Sequence, residues 1–431
     1  MKKISKRIIV LLFTFVFTIS LISCGTQKTP NLAATNELVT NGNGGKTDVG
    51  TWYMTYNNTN MWSNNFGSGN PIEYKALISR NPDKYGIPNS SNIEEIDMHL
   101  EMLAEAKIDF VVYDITNGGL TSALAYGTGN EWIVENAKLT CERIALWNSQ
   151  NEWQIKYALA IGTYGIIRDG LPYGYVAEVQ AEAVYKDFYE NETYGGDNYY
   201  QVDGKPLLLL YDWDTNAAEK WDGYAGDRTY GDKFTIRAAQ GGELGTYGWQ
   251  TNYGTVIHDE VELVSPGFAN NHGAFIARED GEYYRRNWEL LLDNKLPRIV
   301  MVMAFNDFNE HLAVMPADSS GCNDVWEEKW EDVNGNLDPY MYWNMTLNGI
   351  KQIRIMNGEL EGEFTGLVVN QKEEEDKAEI NLDLWVCLFA ICLTAGILAA
   401  AVVCVVVIVK KIRGTKENET SEISENKKED A

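Results

Sequence analysis

Apolar positions along this chain fall into two alternating rhythms. Short runs of apolar and β-branched residues stand at Gly50–Thr55, Ile108–Ile115, Gln154–Ile161, Pro206–Tyr211, Phe234–Ala238, Val261–Ser265, Gly273–Ala277 and Arg298–Ala304, and such runs read as strands buried on both faces. Between them the period lengthens. Ile93, Ile96, Leu100 and Leu103 share one face of a helix over Ile93–Lys107, behind Ser91 and Glu94 at the spacing of a capping box. Glu131–Trp147 and Tyr283–Asp293 carry similar helical stripes. Strands alternating with helices are the sequence form of repeated βα units, so the pattern predicts an α/β fold, a (β/α)8 TIM barrel.

The last apolar run matters most for chemistry. From Arg298 it passes through Ile-Val-Met-Val-Met-Ala-Phe into Asn306, Asp307, Phe308, Asn309 and Glu310, so a buried strand delivers two carboxylates into a polar loop. Barrel strands present their catalytic groups at this end. Two acids on one loop suit glycoside cleavage, because one must be ionised while the other is protonated, and repulsion with unequal burial separates their pKa values. A bland role competes for Asp307, since Asp after a strand commonly makes a turn or caps the next element. Asp114, Asp212 and Asp214 also follow apolar runs, where each either caps a loop or bonds substrate hydroxyls.

Both ends of the chain speak to location. Residues 1–23 have a basic start (Lys2, Lys3, Lys6, Arg7), an apolar stretch from Ile8 to Ile22, and then Leu21-Ile22-Ser23-Cys24, which resembles a bacterial lipoprotein signal cut before the lipidated Cys24. Residues 24–48, rich in Thr, Asn and Gly, read as a flexible linker. Residues 384–409 carry no charge, and at ~1.5 Å per residue they cover about 39 Å, more than a hydrocarbon core of ~30 Å requires. This predicts one C-terminal transmembrane helix. Lys410, Lys411 and Arg413 follow at once, which places the 410–431 tail in the cytoplasm and the rest outside. The charged stretch at 359–383 is a spacer, and 49–358 is the barrel domain, tethered to a cell membrane at both ends.

Composition removes other classes. With 36 basic against 62 acidic residues and a net charge of −26, nucleic acid is a poor partner. Four histidines, His99, His258, His272 and His311, lie scattered, and no His-Glu-x-x-His, Cys-x-x-Cys or Gly-x-Ser-x-Gly occurs, so neither a metal nor another cofactor is expected. Asp212–Asn216 and Asp332–Asn336 imitate the start of a calcium loop, but Ala217 and Leu337 occupy its glycine position. Cys141 and Cys322 are the two cysteines of the outer domain, with a buried thiol expected at Cys141.

A family resemblance adds to this reading. Tyr283-Tyr284-Arg285-Arg286-Asn287-Trp288, Pro297-Arg298-Ile299-Val300, Phe305-Asn306-Asp307-Phe308-Asn309-Glu310 and Pro316 resemble, in order and spacing, the C-terminal part of family 99 glycoside hydrolases and their family 71-like relatives. Val49–Tyr53, Asp97–Leu100 with Ala106–Asp109, and Val202–Pro206 resemble earlier units of that barrel. The resemblance implies a retaining, endo-α-mannosidase-like enzyme: Asp307 takes the proton of the sugar 2-hydroxyl to give a 1,2-anhydro intermediate, and Glu310 protonates the leaving oxygen. Asp307 stands where the family has Glu, Phe308 where it has Trp, and Asn309 where it has His. Substrate-binding candidates are Tyr53, Tyr56, Asp114, Asp212, Trp249, Tyr253, His272 and Asn306; an aromatic at a strand end is equally a core residue, and a lone His equally a satisfied polar group. The expected partner is an oligosaccharide or polysaccharide. The alternative is a barrel of the same fold that binds surface polysaccharide without cleaving it.

Overall fold

The computed structural model describes residues 45–57, 75–76, 89–118, 120, 130–162, 171–211, 221, 224, 226–239, 249, 259–269, 275–322, 328–332 and 334–362. The signal, the linker up to residue 44, most of the spacer, the apolar segment 384–409 and the tail lie outside them. Among the described residues no helix is long and apolar enough to cross a membrane.

Seven parallel strands form one sheet: β1 (Asp48–Met54), β2 (Phe110–Asp114), β3 (Lys156–Gly162), β4 (Lys205–Tyr211), β5 (Thr235–Ala238), β6 (Val261–Val264) and β7 (Ile299–Val302). Their order is β5-β4-β3-β2-β1-β7-β6. The first strand is thus flanked by β2 and by the last strand, with Gly50 opposite both Phe110 and Met301. Most of these strands are apolar runs covered on both faces, whereas β5, Thr-Ile-Arg-Ala, is half-exposed at Ile236 and Arg237, and β6 buries Glu262. The sheet is curled, and its two edge strands meet through side chains: Arg237 of β5 donates from Nε and Nη2 to the carboxylate of Glu260, just before β6, at 2.6 and 3.1 Å.

One predicted strand lies outside this ladder. Of Gly273–Ala277, the described Phe275–Ile276 pairs antiparallel with Phe268–Ala269 outside the main sheet. Its apolar run is too short for a buried strand, and Ile276 is exposed. Among the described residues the ladder therefore has seven parallel strands and no β5–β6 pairing.

Helices cover the outer face. They are α1 (Ile93–Glu105), α2 (Glu131–Gln150), α3 (Tyr173–Val184), α4 (Glu282–Leu292) and α5 (Met341–Met356). The cap of α1 is Asn92, whose side chain accepts from Glu95 N at 3.1 Å, so it replaces the Ser91 box. Ile96, Leu100 and Leu103 are buried as the stripe requires, but Ile93 in the first turn is exposed. Asp97 of α1 and Arg143 of α2 pair in a two-pronged fork at 2.7 Å. Cys141 sits on the buried stripe of α2, and Cys322 is also buried; neither is in a disulfide.

The inner face needs one small residue. A Cβ at Gly50 would overlap the Phe110 ring and come within 2.7 Å of Met301 Sδ, so glycine lets β2 and β7 fill the space over β1. Below, Arg354 closes the N-terminal end of the sheet, donating at 2.6 Å to Asp109 Oδ2, which also accepts from Val49 N at 2.6 Å. The C-terminal ends of the strands are left for the polar loops.

Candidate active site

The loop after β7 is stitched to the end of β1. Phe305 N donates to Trp52 O at 2.9 Å, and the Asn306 side chain grips Met54 from both sides: Oδ1 accepts from Met54 N at 2.7 Å and Nδ2 donates to Met54 O at 3.0 Å. Asn57 Nδ2 donates in turn to Asn306 O at 3.1 Å. An amide side chain that satisfies both backbone groups of a neighbouring strand acts as one more rung of the ladder. Asp307 follows directly.

Asp307 is fully buried. Its Oδ1 accepts from Tyr56 Oη at 3.2 Å and from Glu310 N at 3.1 Å, while Oδ2 is buried with no hydrogen-bond partner among the described residues. Its main-chain oxygen accepts from Leu312 N and Ala313 N at 2.9 and 2.8 Å. The turn role expected of an Asp after a strand is therefore realised through Oδ1, which accepts from Glu310 N. Glu310 is half-buried on the same turn. The chain beyond it is held by Ala269 N, which donates to Glu310 O at 3.0 Å, and by Arg278, whose Nη2 donates to His311 O and Ala313 O at 2.6 and 3.1 Å. The Arg278 guanidinium lies 4.4 Å from the centre of the Tyr342 ring and 5.2 Å from that of Trp330.

Electrostatics separate the two acids. Burial raises the Asp307 carboxyl to about 6, with Asp114 adding to the rise and the hydrogen bonds from Glu310 N and Tyr56 opposing it. Burial raises Glu310 further, to about 8, and the negative charges of Asp307 and Asp114 push the same way. The two titrate as a coupled pair, each raised by burial and by the charge of its neighbours, so the proton that leaves is shared by the pair. Asp114 at the end of β2 is itself raised by burial, although Thr116 N and Oγ1 both donate to its Oδ1, at 3.0 and 2.7 Å. Burial and Asp307 also push the Tyr56 phenol well above its usual value, so it stays a donor. The arrangement is two carboxyls raised by burial on one turn, with a third beside them.

The structure thus brings together Asp307, Glu310, Tyr56, Asp114 and Asn306, but it places two aromatic candidates elsewhere. Tyr53 faces the helix layer: its hydroxyl is 2.8 Å from His99 Nδ1 of α1 and its ring stacks on Phe305. Trp249 is fully buried, and its carbonyl accepts from Trp52 Nε1 at 2.6 Å. Neither offers an exposed ring face to a sugar: both rings are buried, Tyr53 on the side of β1 that packs against α1. Asn306 spends its whole amide on Met54, so it serves the backbone where a ligand contact was expected. Asp212, Asp214, Tyr253, His272 and Cys24 lie outside the described residues. Asp332, from the second calcium-like run, turns back on its own loop and accepts from Asn334 N and Asn336 N at 2.8 and 2.9 Å.

Sequence reasoning missed Asn57 and Arg278. A polar residue just past a buried strand was the available signal for Asn57; Arg278 had none, since its partners are carbonyls distant in sequence. No protein-family model matches the chain, and no curated protein matches it. Among solved structures, the chain is similar to a GH99 endo-alpha-mannosidase from Bacteroides thetaiotaomicron in complex with BIS-TRIS-propane, at 14% identity and a TM-score of 0.48, over 72% of this chain and 98% of that one. A second structure of the GH99 endo-alpha-mannosidase from that organism is similar at 13% identity and a TM-score of 0.45, over 72% and 98% of the two chains. A glycoside hydrolase-like protein is similar at 14% identity and a TM-score of 0.40, over 74% and 95%.

Proposed function

We propose that the protein is a glycoside hydrolase that cleaves an α-linked glycan in endo-α-mannosidase fashion, with retention through a 1,2-anhydro sugar. The observation that carries this reading is the pair on one turn: Asp307, fully buried, accepts from Glu310 N at 3.1 Å, and burial raises both carboxyls, so the pair can supply one carboxylate and one acid. Asp307 takes the proton of the sugar 2-hydroxyl as that oxygen attacks C1. The C1–O bond to the leaving sugar breaks, and the departing oxygen takes the proton of Glu310. Water then opens the three-membered ring, giving its proton to Glu310, while O2 recovers the proton from Asp307. Displacing C1 twice retains its configuration. Tyr56 holds Asp307 in place, and Asp114 keeps Glu310 protonated. Asp212, Tyr253 and His272 remain substrate contacts in this proposal.

The same reading makes the fold a TIM-type (β/α)8 barrel spanning 49–358, outside the cell membrane. Lipid on Cys24 and a helix over 384–409 hold it there, with 410–431 cytoplasmic. The test is release of new reducing ends from α-mannan and other α-glycans by the purified protein. The full burial of Asp307, with Oδ1 already occupied, favours a second reading in which the barrel binds polysaccharide without cleaving it. Glycan-array binding by a protein that releases no reducing ends would decide for that one.

A further inference from the structure

We propose that Asn306 is a positioning residue for the carboxylate pair, acting through the backbone of Met54 and not through substrate. The inference rests on the glycosidase reading for its kinetic consequences, but the geometry is independent of it.

Two segments, 251 residues apart in sequence, must place Tyr56 Oη and Asp307 Oδ1 at 3.2 Å. Tyr56 lies two residues past Met54, and Asp307 one residue past Asn306. The β1–β7 register ends at Thr51 and Val302, and beyond it a single main-chain bond, Phe305 N to Trp52 O at 2.9 Å, reaches toward the pair. The side-chain link between the last residue of β1 and the residue before Asp307 is the Asn306 amide. It accepts from Met54 N at 2.7 Å and donates to Met54 O at 3.0 Å, with both residues buried. Asn57 Nδ2 closes the ring of contacts from the other side by donating to Asn306 O at 3.1 Å. Every polar atom of the Asn306 side chain thus has a backbone partner on β1. A base displaced by about 1 Å loses on the order of a hundredfold in rate, so a fixed separation between these segments is a requirement of the chemistry.

Asn306→Ala removes both bonds, and Asn306→Ser removes them while leaving a small polar group should the alanine variant fail to fold. Two measurements are made on the full-length protein. The first is steady-state cleavage of an α-glycan. Positioning predicts kcat lower by about a hundredfold with KM within about threefold of the parent, and an acidic limb of the pH profile that moves because Asp307 no longer holds Tyr56. A raised KM with kcat unchanged makes Asn306 a substrate ligand and overturns the proposal. The second needs no activity: the pH-dependent stability change caused by Asp307→Asn is measured with Asn306 present and with Asn306→Ser. If Asn306 holds Asp307 in its buried place, loosening it lets the carboxylate reach water, and the effect shrinks by about half or more. An unchanged effect overturns the proposal. Should the parent cleave no glycan, the function reading fails, and this stability cycle alone decides the positioning role.

Discussion

Replacing Asp307 by Asn should stabilise the protein at alkaline pH while abolishing turnover. The swap is nearly isosteric. Oδ1 still accepts from Tyr56 Oη and Glu310 N, and an amide nitrogen takes the place of Oδ2, a buried oxygen with no partner among the described residues. What is lost is the cost of keeping an anion in the interior. In the folded chain the Asp307 carboxyl is raised from 3.8 to about 6, and at about 1.4 kcal/mol per tenfold this amounts to roughly 3 kcal/mol. A group raised in the folded state contributes its stability below the unfolded value and loses it as pH rises through the folded value. The parent therefore weakens from about pH 4 to about pH 6 and stays weakened above, whereas the variant does not titrate there. Removing the charge also eases ionisation of Glu310, which adds to the difference in the same direction. Urea unfolding of parent and variant at intervals from pH 4 to pH 8 reads this out, with kcat measured in parallel. The expected result is equal stability near pH 4 and a gain of roughly 3 kcal/mol at pH 8. A variant no more stable than the parent at pH 8, or a gain that does not depend on pH, would refute the buried-anion account of the site.

Three further predictions follow from the same structure. Activity should rise with pH as Asp307 loses its proton near about 6 and fall as Glu310 loses its own near about 8, so a pH–rate profile without a maximum between them would reverse or dissolve the assigned roles. Glu310→Gln should abolish cleavage of natural α-glycans but spare activated aryl glycosides, whose leaving groups need little protonation; equal losses on both would remove Glu310 from the acid role. Gly50→Ala should cost roughly 1–3 kcal/mol in unfolding free energy through overlap with Phe110 and Met301, and a neutral effect would show that the interior over β1 has slack.

Much of this protein is local information. Seven strands stand close to where apolar runs predict them, because a strand covered on both faces must be apolar along its length. The α1 and α2 stripes hold for the same reason, since burial selects the face. The polar loop after β7 was legible as well: a carboxylate directly after a buried strand has few places to go. Ile93 and the Ser91 cap failed because a helix's first turn is set by which residue reaches the free N–H groups, here Asn92. Gly273–Ala277 failed because two apolar residues mark a strand without marking its partner. Tyr53 and Tyr56 look alike in sequence, and only the packing of β1 against α1, and of the loop after β1 against the loop after β7, sends one to His99 and the other to Asp307. The pairing of the first strand with the last, the Asn306 grip on Met54 and the raised acids depend on segments some 250 residues apart. The sequence by itself determined which stretches are buried and where acids leave a strand, since those follow from side-chain transfer into an apolar interior. The tertiary structure alone decided which acids meet, that burial raises them and which amide holds the turn, because proximity and desolvation exist only once distant segments are packed together.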